Sequence, residues 1–93
     1  MSATEQRLTA WVHGRVQGVG FRWWTRSRAL ELGLVGYAAN QADGRGLVVA
    51  EGPRAALDQL RDWLRVGNTP GEVTLVVDDY SVARGDLRGF IEK

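Results

Sequence analysis

The stretch Gly14-Arg15-Val16-Gln17-Gly18-Val19-Gly20-Phe21-Arg22 holds the residues of this chain best suited to chemistry. Two glycines interrupt a strand-like pattern, and a helical period begins at Phe21, so the loop joins a strand to a helix N-terminus. Successive backbone N–H groups can converge on an anion there, assisted by the positive end of the helix dipole. Arg22 falls in the first helical turn, where its guanidinium can grip a phosphate bidentately. A plain strand-to-helix turn with one solvated arginine accounts for the same residues equally well, because glycine loops are common. Two better-known phosphate motifs are excluded. A Walker A loop needs an internal lysine, and the only lysine is Lys93; a dinucleotide fingerprint needs a third glycine where Trp23 stands.

Asn40 is the second candidate. An asparagine beside a bound phosphate can orient a water for attack on phosphorus, whereas an asparagine before a turn more often caps its own backbone. The choice depends on the elements that position it.

Leu8, Ala10 and Val12 alternate with Thr9, Trp11 and His13, the period of a half-buried strand over Arg7 to Gly14. Phe21, Thr25, Ala29 and Leu32 then share one helical face, and Gly33 stands at the expected C-cap. Val35 to Asn40 and Leu47 to Glu51 read as a hairpin around a turn at Gln41-Ala42-Asp43-Gly44. Pro53 is expected at the first position of a second helix, with Leu57, Leu60 and Leu64 as its buried stripe. Asp58/Arg61 and Asp62/Arg65 are spaced as surface charge pairs. After a turn at Asn68-Thr69-Pro70-Gly71, Val73, Leu75 and Val77 alternate in a strand reaching Val82, and Phe90-Ile91 forms a short closing strand. The order βαββαβ predicts an α+β, ferredoxin-like sandwich: an antiparallel sheet with two helices on one face. In each split βαβ unit the first two strands run parallel with the third between them. Asn40 therefore faces the 15–20 loop across roughly 10 Å, two strand spacings.

Ninety-three residues suit one domain, with residues 1–6 expected as a flexible tail. There is no cysteine, which excludes disulfides, thiolate metal sites and cysteine nucleophiles together. The net charge of +1 gives no electrostatic reason to expect a nucleic-acid or membrane partner. No apolar run approaches bilayer length and Met1 to Arg7 is mostly polar, so a cytoplasmic protein is expected, and a monomer by default because no clear oligomer seam is visible. His13, the only histidine, has no partner nearby in sequence and reads as a residue of the sheet's exposed face. Asp78 and Asp79 are adjacent in a strand and point to opposite faces, a poor metal site. The four tryptophans read as packing residues, and Ser27 and Ser81 have no base in a recognisable motif.

The 14–22 segment resembles the first signature of the acylphosphatase family. Gly36-Tyr37-Ala38-Ala39-Asn40, followed by Asp43-Gly44 and Glu51-Gly52, resembles the second, and the similarity runs from about Leu8 to Arg65. The resemblance implies a metal-free, cofactor-free enzyme acting on a small-molecule acyl phosphate and releasing inorganic phosphate. It implies that the segment Arg15, Val16, Gln17, Gly18, Val19, Gly20 and Phe21, with Arg22, binds the phosphate, and that Asn40 positions the nucleophilic water. The chain departs from the family pattern in three places. Gly46 stands where valine is usual, a change expected to loosen the start of the third strand. Gln41 follows Asn40 where some members have a threonine near the site, and Gly67 to Glu72 matches poorly.

The groups this chain lacks favour the same substrate. A phosphate monoester releases an alkoxide, which usually needs a general acid or a metal. An acyl phosphate releases a carboxylate whose conjugate acid has a pKa near ~4, and which departs unaided. Two other readings stay open: a ferredoxin-like binding module, and a phosphate- or carbamoyl-phosphate-binding domain of a larger maturation enzyme. RNA-recognition domains share the topology but carry aromatic residues in the third strand, where Leu47-Val48-Val49-Ala50 has none.

Overall fold

A computed structural model describes residues 5–93, and the first four residues of the expected tail lie outside the described residues. Glu5 and Gln6 are not tail: they begin strand β1 (Glu5–Arg15), opposite Pro53 and Gly52 of β3. The chain continues through α1 (Phe21–Glu31), β2 (Val35–Asn40), β3 (Gly46–Pro53), α2 (Arg54–Val66), β4 (Glu72–Val82) and β5 (Phe90–Glu92). One five-stranded sheet results, in the order β4-β1-β3-β2-β5.

Leu8, Ala10 and Val12 of β1 face the helices together with Val48 and Ala50 of β3 and Ala38 of β2. Phe21 and Ala29 of α1 and Leu57, Leu60 and Leu64 of α2 close over them, so one core lies between sheet and helices. The end of α1 follows from Gly33, whose φ of 72° only glycine adopts without strain. Gly33 N–H donates to Leu30 O and Leu34 N–H to Ala29 O, the paired bonds of a Schellman cap.

The sheet is mixed rather than wholly antiparallel, because β5 pairs parallel with β2. β4 runs away from the 15–20 loop, so the chain must cross the far end of the sheet before β5 returns. Glu51 holds this crossing. Its buried carboxylate accepts N–H bonds from Arg84 (2.9 Å) and Gly85 (3.0 Å) and pairs with Arg7 Nε at 2.6 Å. Burial pushes the Glu51 carboxyl up, but the Arg84 N–H, the Arg7 guanidinium and the Gly85 N–H outweigh it, leaving the pKa below the usual value.

Three expectations shift in detail. Leu75 and Val77 lie on the open face of the sheet, and Val76 is the buried residue of β4. Gly14 pairs with Val73 and His13 with Leu75, so Thr74 is an extra residue in a bulge that puts Val73 and Val76 on the same side. Pro53 is the N-cap of α2, with extended backbone, because it still closes the β1–β3 ladder. Asp58 pairs with Arg54 at 3.0 Å and with Arg61 at 3.9 Å, but Arg65 reaches across to Asp78 rather than to Asp62. Among the described residues, no helix is long and apolar enough to cross a membrane.

Candidate active site

The 16–20 loop is pinned at both ends. Val16 and Phe21 are each buried in the core, and Val19 packs partly against it, while Gly18 and Gly20 stay exposed. Gly18 (φ 72°) and Gly20 (φ 84°) lie in the left-handed region, so the loop needs glycine at both positions. Gly20 is the N-cap of α1 and no side chain caps the helix, which leaves the first-turn N–H groups open to an anion.

Arg22 projects from that first turn and is fixed from behind: Nη1 donates to the main-chain oxygen of Lys93 at 2.8 Å. Lys93 N–H donates in turn to Ala38 O, also at 2.8 Å, so the residue following β5 ties Arg22 to β2. Arg26 Nε donates to Phe90 O at 3.0 Å and braces the same segment one helical turn later.

Asn40 ends β2, paired with Gly46. It does not cap the turn that follows. Gln41 N–H donates to Arg45 O and Gly44 N–H to Gln41 O, and the Asp43 carboxylate accepts the Arg45 N–H at 3.1 Å. Asn40 Oδ1 is instead buried with no hydrogen-bond partner among the described residues. An orphaned buried acceptor costs roughly 1–3 kcal/mol and calls for a functional reason.

The loop, Arg22 and Asn40 meet in a cavity of about 80 Å³ lined by Val16, Gly18, Gly20, Phe21, Arg22, Trp23, Asn40 and Glu92. Arg15 ends β1, exposed and opposite Glu72, outside this lining. Gln17 is also outside it, and its Nε2 donates to Gln41 O at 2.7 Å, bridging the loop to the turn after Asn40. Val19 supports the loop from the core side.

Trp23 and Glu92 were not among the residues expected at the site. Trp23 could have been found from the helical period, which turns it away from the Phe21–Thr25–Ala29 face one residue after Arg22. Glu92 could not, because its place depends on the long-range pairing of β5 with β2. Gly46 also differs from expectation. It is paired on both sides, with Asn40 and Val12, and a Cβ there would come within 2.7 Å of Phe21 Cε2. The glycine makes room for the ring instead of loosening the strand.

A larger groove of about 420 Å³ runs along Val73 to Val76 beside Arg65. Its one charged residue is already engaged with Asp78 at 2.5 Å. His13 sits half-buried on β1 and does not line the small cavity. Among the described residues, no group of three or more histidine, cysteine, aspartate or glutamate side chains could hold a metal ion.

Comparison with known proteins decides the family. The acylphosphatase family model matches residues 8–91. The chain belongs to the acylphosphatase family. An acylphosphatase of Rhodococcus jostii (strain RHA1) is 70% identical over 88 residues, covering 95% of this chain and 99% of that protein. The solved acylphosphatase of Coxiella burnetii aligns over the whole of both chains with a TM-score of 0.89 at 32% identity. That of Bacillus subtilis covers 95% of this chain and 98% of its own, with a TM-score of 0.88 at 31% identity. These similarities carry the ferredoxin-like α+β fold and the enzyme family expected from the two motifs.

Proposed function

We propose that this chain hydrolyses the carboxyl–phosphate bond of acyl phosphates in the cavity between the 16–20 loop and Asn40. The loop N–H groups and the Arg22 guanidinium hold the non-bridging phosphoryl oxygens, neutralising charge that grows in the transition state. Asn40 Oδ1 accepts a hydrogen bond from a water and aligns it with phosphorus, opposite the acyl oxygen. The water oxygen forms the new P–O bond, and the old P–O bond breaks with its electron pair leaving on the carboxylate. The water's proton passes to a phosphoryl oxygen, giving inorganic phosphate. The unpartnered, buried Asn40 Oδ1 is the observation that carries this reading.

The step needs no general acid, because a carboxylate leaves without one, and in this proposal the Arg22 guanidinium and the loop N–H groups supply the charge stabilisation that a metal ion would otherwise give. A monomeric working form is part of the same proposal. The absence of cysteine fits a reducing, cytoplasmic setting.

Phosphate release from benzoyl phosphate in the presence of a chelator tests the proposal. Wild type is expected to turn over, and Arg22→Ala to lose about 100-fold in kcat/KM with the loss of a charged phosphate contact. The rate should be flat across neutral pH. Absence of turnover by folded wild type, or a pH limb abolished by His13→Ala, would overturn the mechanism.

A further inference from the structure

The cavity is too small for a whole acyl phosphate. Its volume of about 80 Å³ falls well below the ~300–1,000 Å³ of clefts that enclose a complete small ligand. It suits the phosphoryl group, and the acyl group must lie across its rim. In-line attack sets the direction: the leaving oxygen departs opposite the water, away from buried Asn40 Oδ1 and towards the open side.

Trp23 stands on that rim. It lines the cavity, yet 61% of its surface is exposed. The neighbouring tryptophans have other roles. Trp24 packs against the core, Trp11 lies under Arg45 at 4.5 Å, and Trp63 lies beside Arg28 at 5.8 Å. Trp23 belongs to neither the core cluster nor a cation stack among the described residues. A large, mostly exposed apolar residue thus stands beside the phosphoryl pocket outside the core cluster.

We propose that the Trp23 indole receives the acyl group of the substrate and selects acyl phosphates with a flat or extended apolar acyl group over the smallest ones. This rests on the acyl phosphate hydrolysis proposed above. A ring stacked on the indole gains apolar burial and offset π contact that an acetyl group is too small to make. The contact exists before and during the reaction, so it acts on KM more than on kcat.

The test compares kcat and KM for benzoyl phosphate and acetyl phosphate in wild type, Trp23→Ala and Trp23→Phe. The benzoyl-to-acetyl ratio of kcat/KM should fall about tenfold in Trp23→Ala, chiefly through KM. Trp23→Phe should return the ratio to within about twofold of wild type, since a smaller aromatic face remains. An unchanged ratio in Trp23→Ala, with both substrates hydrolysed by wild type, would overturn the role of Trp23 and leave the hydrolase reading intact. Hydrolysis of neither substrate by wild type would overturn the hydrolase reading and this inference with it.

Discussion

Gly46 and Phe21 share one space: a Cβ added to Gly46 would stand 2.7 Å from Cε2 of the Phe21 ring. Phe21 lines the cavity and Gly46 is paired with Asn40, so a side chain at 46 would disturb both sides of the site at once. Gly46→Val is expected to destabilise the fold by about 1–3 kcal/mol through overpacking and to lower kcat/KM. Urea denaturation alongside benzoyl phosphate kinetics checks this. An unchanged midpoint and rate would mean that the ring moves freely.

Gly20 tests the loop separately from the core. A Cβ at Gly20 meets nothing within 4 Å, but its φ of 84° lies where other residues are strained. Gly20→Ala should cost about 1–2 kcal/mol of backbone energy. Relaxation of the loop should also misaim its N–H groups and weaken inhibition by inorganic phosphate more than tenfold. Phosphate inhibition equal to wild type would show that the loop does not bind the anion.

The Glu51 staple makes stability pH-dependent. Its carboxyl has a lowered pKa in the fold, so its contribution is present above the unfolded value and lost as pH falls through the folded one. Wild type should therefore lose stability below about pH 4.5. Glu51→Gln should lose about 2–4 kcal/mol at neutral pH, because buried Arg7 then keeps only the exposed Asp86 carboxylate, at 3.1 Å, as a charge partner. Chemical denaturation of both proteins between pH 3 and 7 checks the sign, and the variant's curve should be the flatter in acid.

Much of this organisation is legible in the sequence, because it is local. The alternation at Leu8, Ala10 and Val12, the spacing of Leu57, Leu60 and Leu64, and Gly33 at the α1 terminus each act within a few residues. What could not be read depends on partners far along the chain. Thr74 becomes a bulge only against His13 and Gly14, which reverses the buried face of β4. The parallel β5 pairs with β2 after the crossing that Glu51 holds, and with it come Glu92 and the anchoring of Arg22. The choice between turn cap and functional residue at Asn40 was open in the sequence. Asp43, by capping the turn, leaves Asn40 to the cavity.

Tyr80 offers a spectroscopic check on the packing of α2 against β4. Burial, together with its hydrogen bond to Asp58 at 2.5 Å, pushes its phenol up to about 12. Because the folded pKa exceeds the unfolded value, the neutral phenol favours the fold, and stability should fall as pH rises through about 10 towards 12. Ultraviolet titration should show one late-ionising tyrosine that disappears in Tyr80→Phe. Ionisation of Tyr80 near the ordinary tyrosine value would contradict the contact.

The most direct measurement is kcat for benzoyl phosphate in Asn40→Ala, made together with the variant's stability. Removing the buried, unpartnered oxygen should leave stability unchanged or raise it, because its desolvation cost disappears. The same change should lower kcat by about 100-fold or more, with inhibition by inorganic phosphate nearly unaltered. A variant as stable as wild type that keeps its kcat would contradict the account, since the water would then be positioned by another group.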